Sequence, residues 1–147
     1  MPYPSTTTIP AQRLSAALAI LRFVVGAIFI AHGAQKLVVF GLAGVVGAFG
    51  QMGVQLPGIT GPAIAFLEFF GGIALVLGLL TRPVALLFAV DMLGAILLVQ
   101  ISKGLIGGYE LELLLLGNAL ALAVAGAGQY SFDHVLSARK AEVRRHG

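Results

Sequence analysis

The residues able to do chemistry in this chain are the few ionisable and amide side chains set into long apolar runs. His32-Gly33-Ala34-Gln35-Lys36 closes an apolar run that begins near Leu14. Glu68 lies in a second run, Asp91 near the middle of a third, and Glu110 opens a fourth. An imidazole, an amide, an ammonium and two carboxyls at one depth can hydrogen-bond a polar headgroup and pass protons to or from it. Arg22, deeper in the first run, has Asp91 as its candidate ion-pair partner. A charge at the centre of a bilayer costs roughly 2.5–3.5 kcal/mol on insertion scales, so such groups are expected to face inward and pair.

The elements that must position these groups are membrane helices. The chain has 147 residues, 59% hydrophobic and 10% charged, far below the quarter of charged residues usual in soluble domains. Spanning a bilayer takes roughly 20 mostly apolar residues, and four segments qualify: Leu14–Val39, Pro62–Leu80, Pro83–Gln100 and Tyr109–Ala125. Pro62 and Pro83 are placed in the first turn of their helices, where a missing N–H costs nothing. The short "GLLTRP" and "SKGLIGG" connections make successive spans antiparallel. The predicted fold is therefore an all-α integral membrane protein, a four-transmembrane-helix antiparallel bundle over 14–128. It is preceded by a tail at 1–13 and followed at 129–147 by a short amphipathic helix with a basic end. In that last segment Ser131 is the expected N-cap with Asp133 in the first turn, and Phe132, Val135 and Leu136 share an interfacial face.

Charge sets the orientation. Arg13, Arg82, Arg139, Lys140, Arg144 and Arg145 fall on one side of the four spans, and Lys36 and Lys103 on the other. By the positive-inside rule both termini are expected in the cytoplasm. The net charge of +3 is accounted for by this asymmetry, and nothing points to nucleic acid. The uncharged stretch "FGLAGVVGAFGQMGVQLPG" then lies outside, where it is expected to fold back as a cap or re-entrant piece. At about 1.5 Å rise per residue, His32, Gln35, Lys36, Glu68 and Glu110 form an outer polar cluster, with Arg22 and Asp91 as an inner pair. Glu112, about 200° round the helix from Glu110, is expected to point elsewhere.

The inventory excludes several chemistries. With no cysteine there is no disulfide, thiolate metal site or iron–sulfur cluster. Only His32 lies in a span, so bis-histidine haem is excluded, and neither HExxH nor GxGxxG is present. No nucleophile–base pair is found, because the serines fall at helix ends or in loops. The chain carries no redox centre of its own, yet it can bind a carrier. A quinone fits: its carbonyls take hydrogen bonds from His32, Gln35 or Lys36, and Glu68 or His32 exchanges protons. Phe66, Phe69 and Phe70 are candidates to line its ring and tail, with Gln100 and Tyr109 at the outer end.

The ordered set "LRFVVGAIFIAHGAQKL", "FLEFFGGIALVLGLLTRPVAL", "DMLGAILLV" and "GGYELELLLLGNALALAVAGAGQYSFD" resembles the DoxX family of small four-helix membrane proteins, from about Arg22 to Asp133. The matching positions are Arg22, His32, Gly33, Lys36, Glu68, Gly71, Gly72, Arg82, Glu110, Ser131 and Asp133. The resemblance implies a place in the bacterial cytoplasmic membrane as a subunit of an oxidoreductase system, in some relatives quinone-linked and served by a soluble partner. Two other readings stand beside it: a small-molecule carrier with a path through the polar residues, and an anchor for a soluble enzyme whose buried charges are architectural. Faces of small residues also permit homo-oligomers.

Overall fold

The computed structural model describes residues 10–146; residues 1–9 of the expected N-terminal tail, and Gly147, lie outside the described residues. Every regular element is helical. α1 (Ala11–Ala34) continues as a π-helical turn over Gln35–Phe40, and Gly41, at φ 65°, redirects the chain into α2 (Gly41–Gln51). α3 (Pro57–Leu77) and α4 (Thr81–Ala95) follow. α4 runs on through a second π-helical turn, Ile96–Gln100, before an irregular reversal leads to α5 (Glu110–Ala125). α6 (Phe132–His146) is the last described element. Among the described residues, four helical stretches are long and apolar enough to cross a membrane: Ala11–Gln51, Pro57–Leu77, Thr81–Lys103 and Leu105–Ala125. Their outward sides carry exposed Ile20, Phe23, Val90, Leu114 and Val124, as expected where the surrounding solvent is hydrocarbon.

One expectation about elements is corrected. Pro62 is not in the first turn of its helix, because α3 begins five residues earlier at Pro57, which itself takes the N-terminal proline position. The proline-tolerant start moved outward while the apolar pattern alone marked only the lipid-crossing part. The uncharged outer stretch folds back as a helix, α2, packed along the outer half of α3 with Val45 buried against Gly61.

Packing follows small residues more than chain order. α1 and α3 make the most extensive contact, α4 and α5 the next, while α3 and α4, joined by the three-residue turn Gly78–Leu80, touch far less. The α1–α3 seam is backbone against backbone. A Cβ added to Gly72 would lie 2.8 Å from the Gly26 carbonyl oxygen, one added to Gly26 would lie 2.8 Å from that of Gly72, and one at Gly33 would collide with the Phe69 backbone. Close approach through small residues is the main route to helix association where lipid tails are as apolar as leucine. Between the two pairs, Leu18, Val25, Phe29, Leu75, Ala85, Phe88 and Leu122 form the core. Phe29 and Phe88 stack there, ring centroids 3.6 Å apart and 5° from parallel.

The end of the bundle bearing both chain ends is tied by polar contacts. Asp133 accepts from the backbone N–H groups of Leu80 (2.8 Å) and Thr81 (2.9 Å) at the start of α4, while its own N–H donates to Gly78 O at 2.9 Å. A carboxylate at a helix N-terminus satisfies donors that have no partner within the helix. Ser131 Oγ accepts from His134 N at 3.2 Å, capping α6, and Gln129 N donates to Ser15 Oγ at 3.2 Å.

Gly72→Ala is expected to destabilise the bundle by about 1–3 kcal/mol, the usual cost of overpacking a tight contact. Gly117→Ala, where an added Cβ meets nothing within 4 Å, is expected to be neutral. Thermal melts of the two variants in one detergent check this; equal melting temperatures would remove the seam from its central place.

Candidate functional site

The α1–α3 seam sets one residue pair directly against the other. At 100° per residue Lys36 lies about 20° from the buried Phe29, whereas Gln35 lies about 120° away. Lys36 therefore continues the inward face of Arg22, Val25, Phe29 and Gly33, while Gln35 is exposed. On α3, Glu68 lies on the face of Ala65, Gly71, Gly72 and Leu75 and is 3% exposed. Lys36 Nζ donates to Glu68 Oε2, joining π turn and helix in an ion pair with side-chain exposures of 21% and 4%.

This pair borders a cavity of about 260 Å³ at the end of the bundle away from the chain termini. Its walls come from α1, α3, α4 and α5, and Phe49, Met52 and Val54, from α2 and the turn after it, complete the enclosure. Phe29 of the aromatic stack lines it as well, and toward the termini the packed core continues through Val25 and Leu75. The polar lining consists of His32, Lys36, Glu68, Asp91, Gln100 and Glu112. His32 is exposed, its Nδ1 2.9 Å from Ile28 O. Gln100, at the end of the second π turn, donates from Nε2 to Glu112 Oε1 at 3.4 Å. Asp91 Oδ2, Gln100 Oε1 and Glu112 Oε2 are buried without a hydrogen-bond partner among the described residues. Among the described residues no three His, Asp or Glu side chains are grouped to hold a metal ion.

Of the expected outer cluster, His32, Lys36 and Glu68 line one cavity; Gln35 and Glu110 do not. Glu110 is exposed and lies with Leu113, Gly117 and Asn118 on the opposite side of α5. The two glutamates do point apart, but in the reverse sense to that expected. The buried face of α5 is Leu115, Ala119 and Leu122; Glu112, three residues before Leu115, lies about 60° from it, and Glu110 about 140°. Leucines on every side of α5, and alanines at 119, 121, 123 and 125, hid this face.

The expected Arg22–Asp91 pair does not form. The Phe29–Phe88 stack sets the level of α1 against α4. Arg22 lies seven residues to one side of that stack and Asp91 three to the other, a separation of about 15 Å along the axis. Arg22, 1% exposed, instead donates from Nη1 to Leu75 O at 3.5 Å and from Nη2 to Tyr130 O. Its guanidinium thus meets the carbonyl end of α3, where the helix dipole favours a cation. Phe66, Phe69 and Phe70 pack on one another, with Phe66 and Phe70 exposed, so the rings nearest the cavity are Phe29 and Phe49.

Comparisons with known proteins add a family. The DoxX family model matches residues 17–101. A Bacillus subtilis (strain 168) protein named "Putative oxidoreductase CatD" is 36% identical over 114 residues, covering 78% of this chain and 82% of that one. "Inner membrane protein YqjF" of Escherichia coli (strain K12) is 35% identical over 121 residues, covering 80% and 90%. "Uncharacterized membrane protein Rv3486" of Mycobacterium tuberculosis is 29% identical over 132 residues, covering 81% and 80%. No solved structure matches.

Lys36→Met leaves the Glu68 carboxyl buried alone. Because Lys36 keeps some exposure, the expected cost is at the low end of the roughly 3–5 kcal/mol for removing one partner of a buried pair. Lys36→Met combined with Glu68→Leu should recover most of that loss. A double-mutant cycle on thermal stability checks it; additive effects would mean the pair contributes nothing.

Proposed function

The chain belongs to the DoxX family, and on that premise we propose that it is the membrane subunit of a quinone-linked oxidoreductase system, holding the headgroup of a quinone or similar lipophile in the cavity beside Lys36 and Glu68. The observation that carries this reading is the cavity itself: apolar walls and aromatic rings with a few polar groups among them, the usual make-up of a small-molecule site. A dry cavity of about 150 Å³ in another protein admits benzene, so about 260 Å³ suits a substituted single ring.

Roles follow from position. Phe29 and Phe49 offer ring faces, Lys36–Glu68 supplies a fixed charge pair, and exposed His32 is the group best placed to pass protons to the surroundings. Electrons would come from a soluble partner, since cysteine-free chemistry of this kind relies on what is bound. The names of an oxidoreductase and of an inner membrane protein among the relatives support the setting. Arg13, Arg82, Arg139 and Lys140 belong to elements at the end bearing the termini, which supports placing that end in the cytoplasm. The packed core behind Phe29, which continues through Val25 and Leu75, favours a binding site over a carrier path.

The test is ligand capture. Organic extraction of the purified protein, read by mass spectrometry, is expected to yield a quinone-type lipid. A short-chain quinone analogue, in one redox form or the other, is expected to raise the melting temperature, by up to about 2.7 kcal/mol of added stability at a hundred times Kd. Glu68→Gln should abolish that rise and Gly117→Ala should keep it. No extractable lipid, together with no shift from either redox form, would overturn the proposal.

A further inference from the structure

Hydrogen-bond bookkeeping around the cavity is lopsided. Three buried acceptor atoms on its lining residues have no partner among the described residues: Asp91 Oδ2, Gln100 Oε1 and Glu112 Oε2. Each donor group on the lining, by contrast, already has one acceptor. Lys36 Nζ donates to Glu68, Gln100 Nε2 donates to Glu112 Oε1 at 3.4 Å, and His32 Nδ1 is 2.9 Å from Ile28 O. Each unsatisfied buried polar group costs about 1–3 kcal/mol, and native proteins leave few of them. Three around one cavity call for an occupant that brings donors.

We infer that the cavity selects the reduced, dihydroxy form of its aromatic ligand, whose O–H groups donate to Asp91 and Glu112. This rests on the function proposed above and says which member of the redox couple the site holds. A dione offers only acceptors, which can use the remaining N–H groups of Lys36 and Gln100 but leave the three unpartnered oxygens unsatisfied; the diol derived from it offers two donors in the same ring outline. The two forms differ by two electrons and two protons, and the inference concerns binding alone. Differential binding still has a redox consequence: a tenfold preference for the diol raises the potential of the bound two-electron couple by about 30 mV. Asp91 and Glu112 stand on α4 and α5, whereas Lys36 and Glu68 stand on the α1–α3 seam, so the two helix pairs would grip the ligand by different chemistry.

The test compares the two redox forms of one ring. Tetramethyl-1,4-benzoquinone and its hydroquinone are titrated anaerobically against the detergent-purified full chain, with binding read by thermal shift. The hydroquinone is expected to bind at least tenfold more tightly. In Asp91→Asn/Glu112→Gln, each amide supplies a donor where a carboxylate supplied none, so the preference is expected to collapse to within about twofold. Among the described residues Asp91 Oδ2 has no partner and Glu112 accepts only from Gln100 at 3.4 Å, and the wild-type ratio decides even if the variant fails to fold. Equal or tighter binding of the quinone by the wild-type chain would overturn this inference and leave the proposed function standing. Preference for the hydroquinone that persists unchanged in the double variant would also overturn it, since the selectivity would lie elsewhere. Binding of neither form would overturn both.

Discussion

The close backbone contact between α1 and α3 is the constraint from which the rest of the bundle follows. Gly26, Gly33 and Gly72 leave no room for a side chain of their own between the two helices, so their axes approach closely and stay in one register. That register carries Lys36 to Glu68 one turn beyond Gly33. In a bilayer there is no hydrophobic gain from moving a leucine out of lipid against another leucine. Tight van der Waals contact and satisfied polar groups must then hold helices together, and this seam supplies both. α4 and α5 form the second tight pair. Two pairs that each pack well internally need not fill the space between them, and at the outer end they leave the cavity.

Buried charge is handled differently at the two ends. Near the chain termini Arg22 is fully enclosed, yet it meets backbone carbonyls at the end of α3 and at Tyr130, and Asp133 meets the backbone donors that open α4. Helix ends, with their unpaired backbone groups, serve there in place of opposing side chains. The tail segment Tyr130–Asp133 therefore stitches α1, α3 and α4 to one another. At the other end a side-chain pair, Lys36–Glu68, is complete while Asp91 and Glu112 retain unpartnered oxygens. Arg22 Nε and Thr81 Oγ1 also lack partners among the described residues, but only the three outer oxygens belong to residues that line the cavity beside Lys36 and Glu68.

The two π-helical turns belong to the same account. Gln35–Phe40 and Ile96–Gln100 both lie at the outer end, and each delivers a polar residue to the cavity, Lys36 and Gln100. Single π turns inside α-helices are frequent at functional sites because they widen the helix and re-aim the residues that follow. Gly41 then lets the chain turn back at positive φ, which places α2 over the cavity's flank.

The membrane class, the four spans and the inward stripe through Arg22, Phe29, Gly33 and Lys36 were legible in the sequence, since hydropathy and the 3.6-residue period act locally. So was the common depth of Lys36 and Glu68, which needs only helix rise and the sense of each span. The helical start at Pro57 and α2 itself escaped, because an uncharged glycine-rich stretch fits a loop and a helix equally well by composition. What only the tertiary structure decided was which face each helix shows its neighbours and at what level. α5 is leucine on all sides, so nothing local chose Glu112 over Glu110, and the Phe29–Phe88 stack, a contact between residues 59 positions apart, separated Arg22 from Asp91. A helix repeats its own geometry from the chain alone, but its rotation and height against another helix are set by packing that neither segment contains.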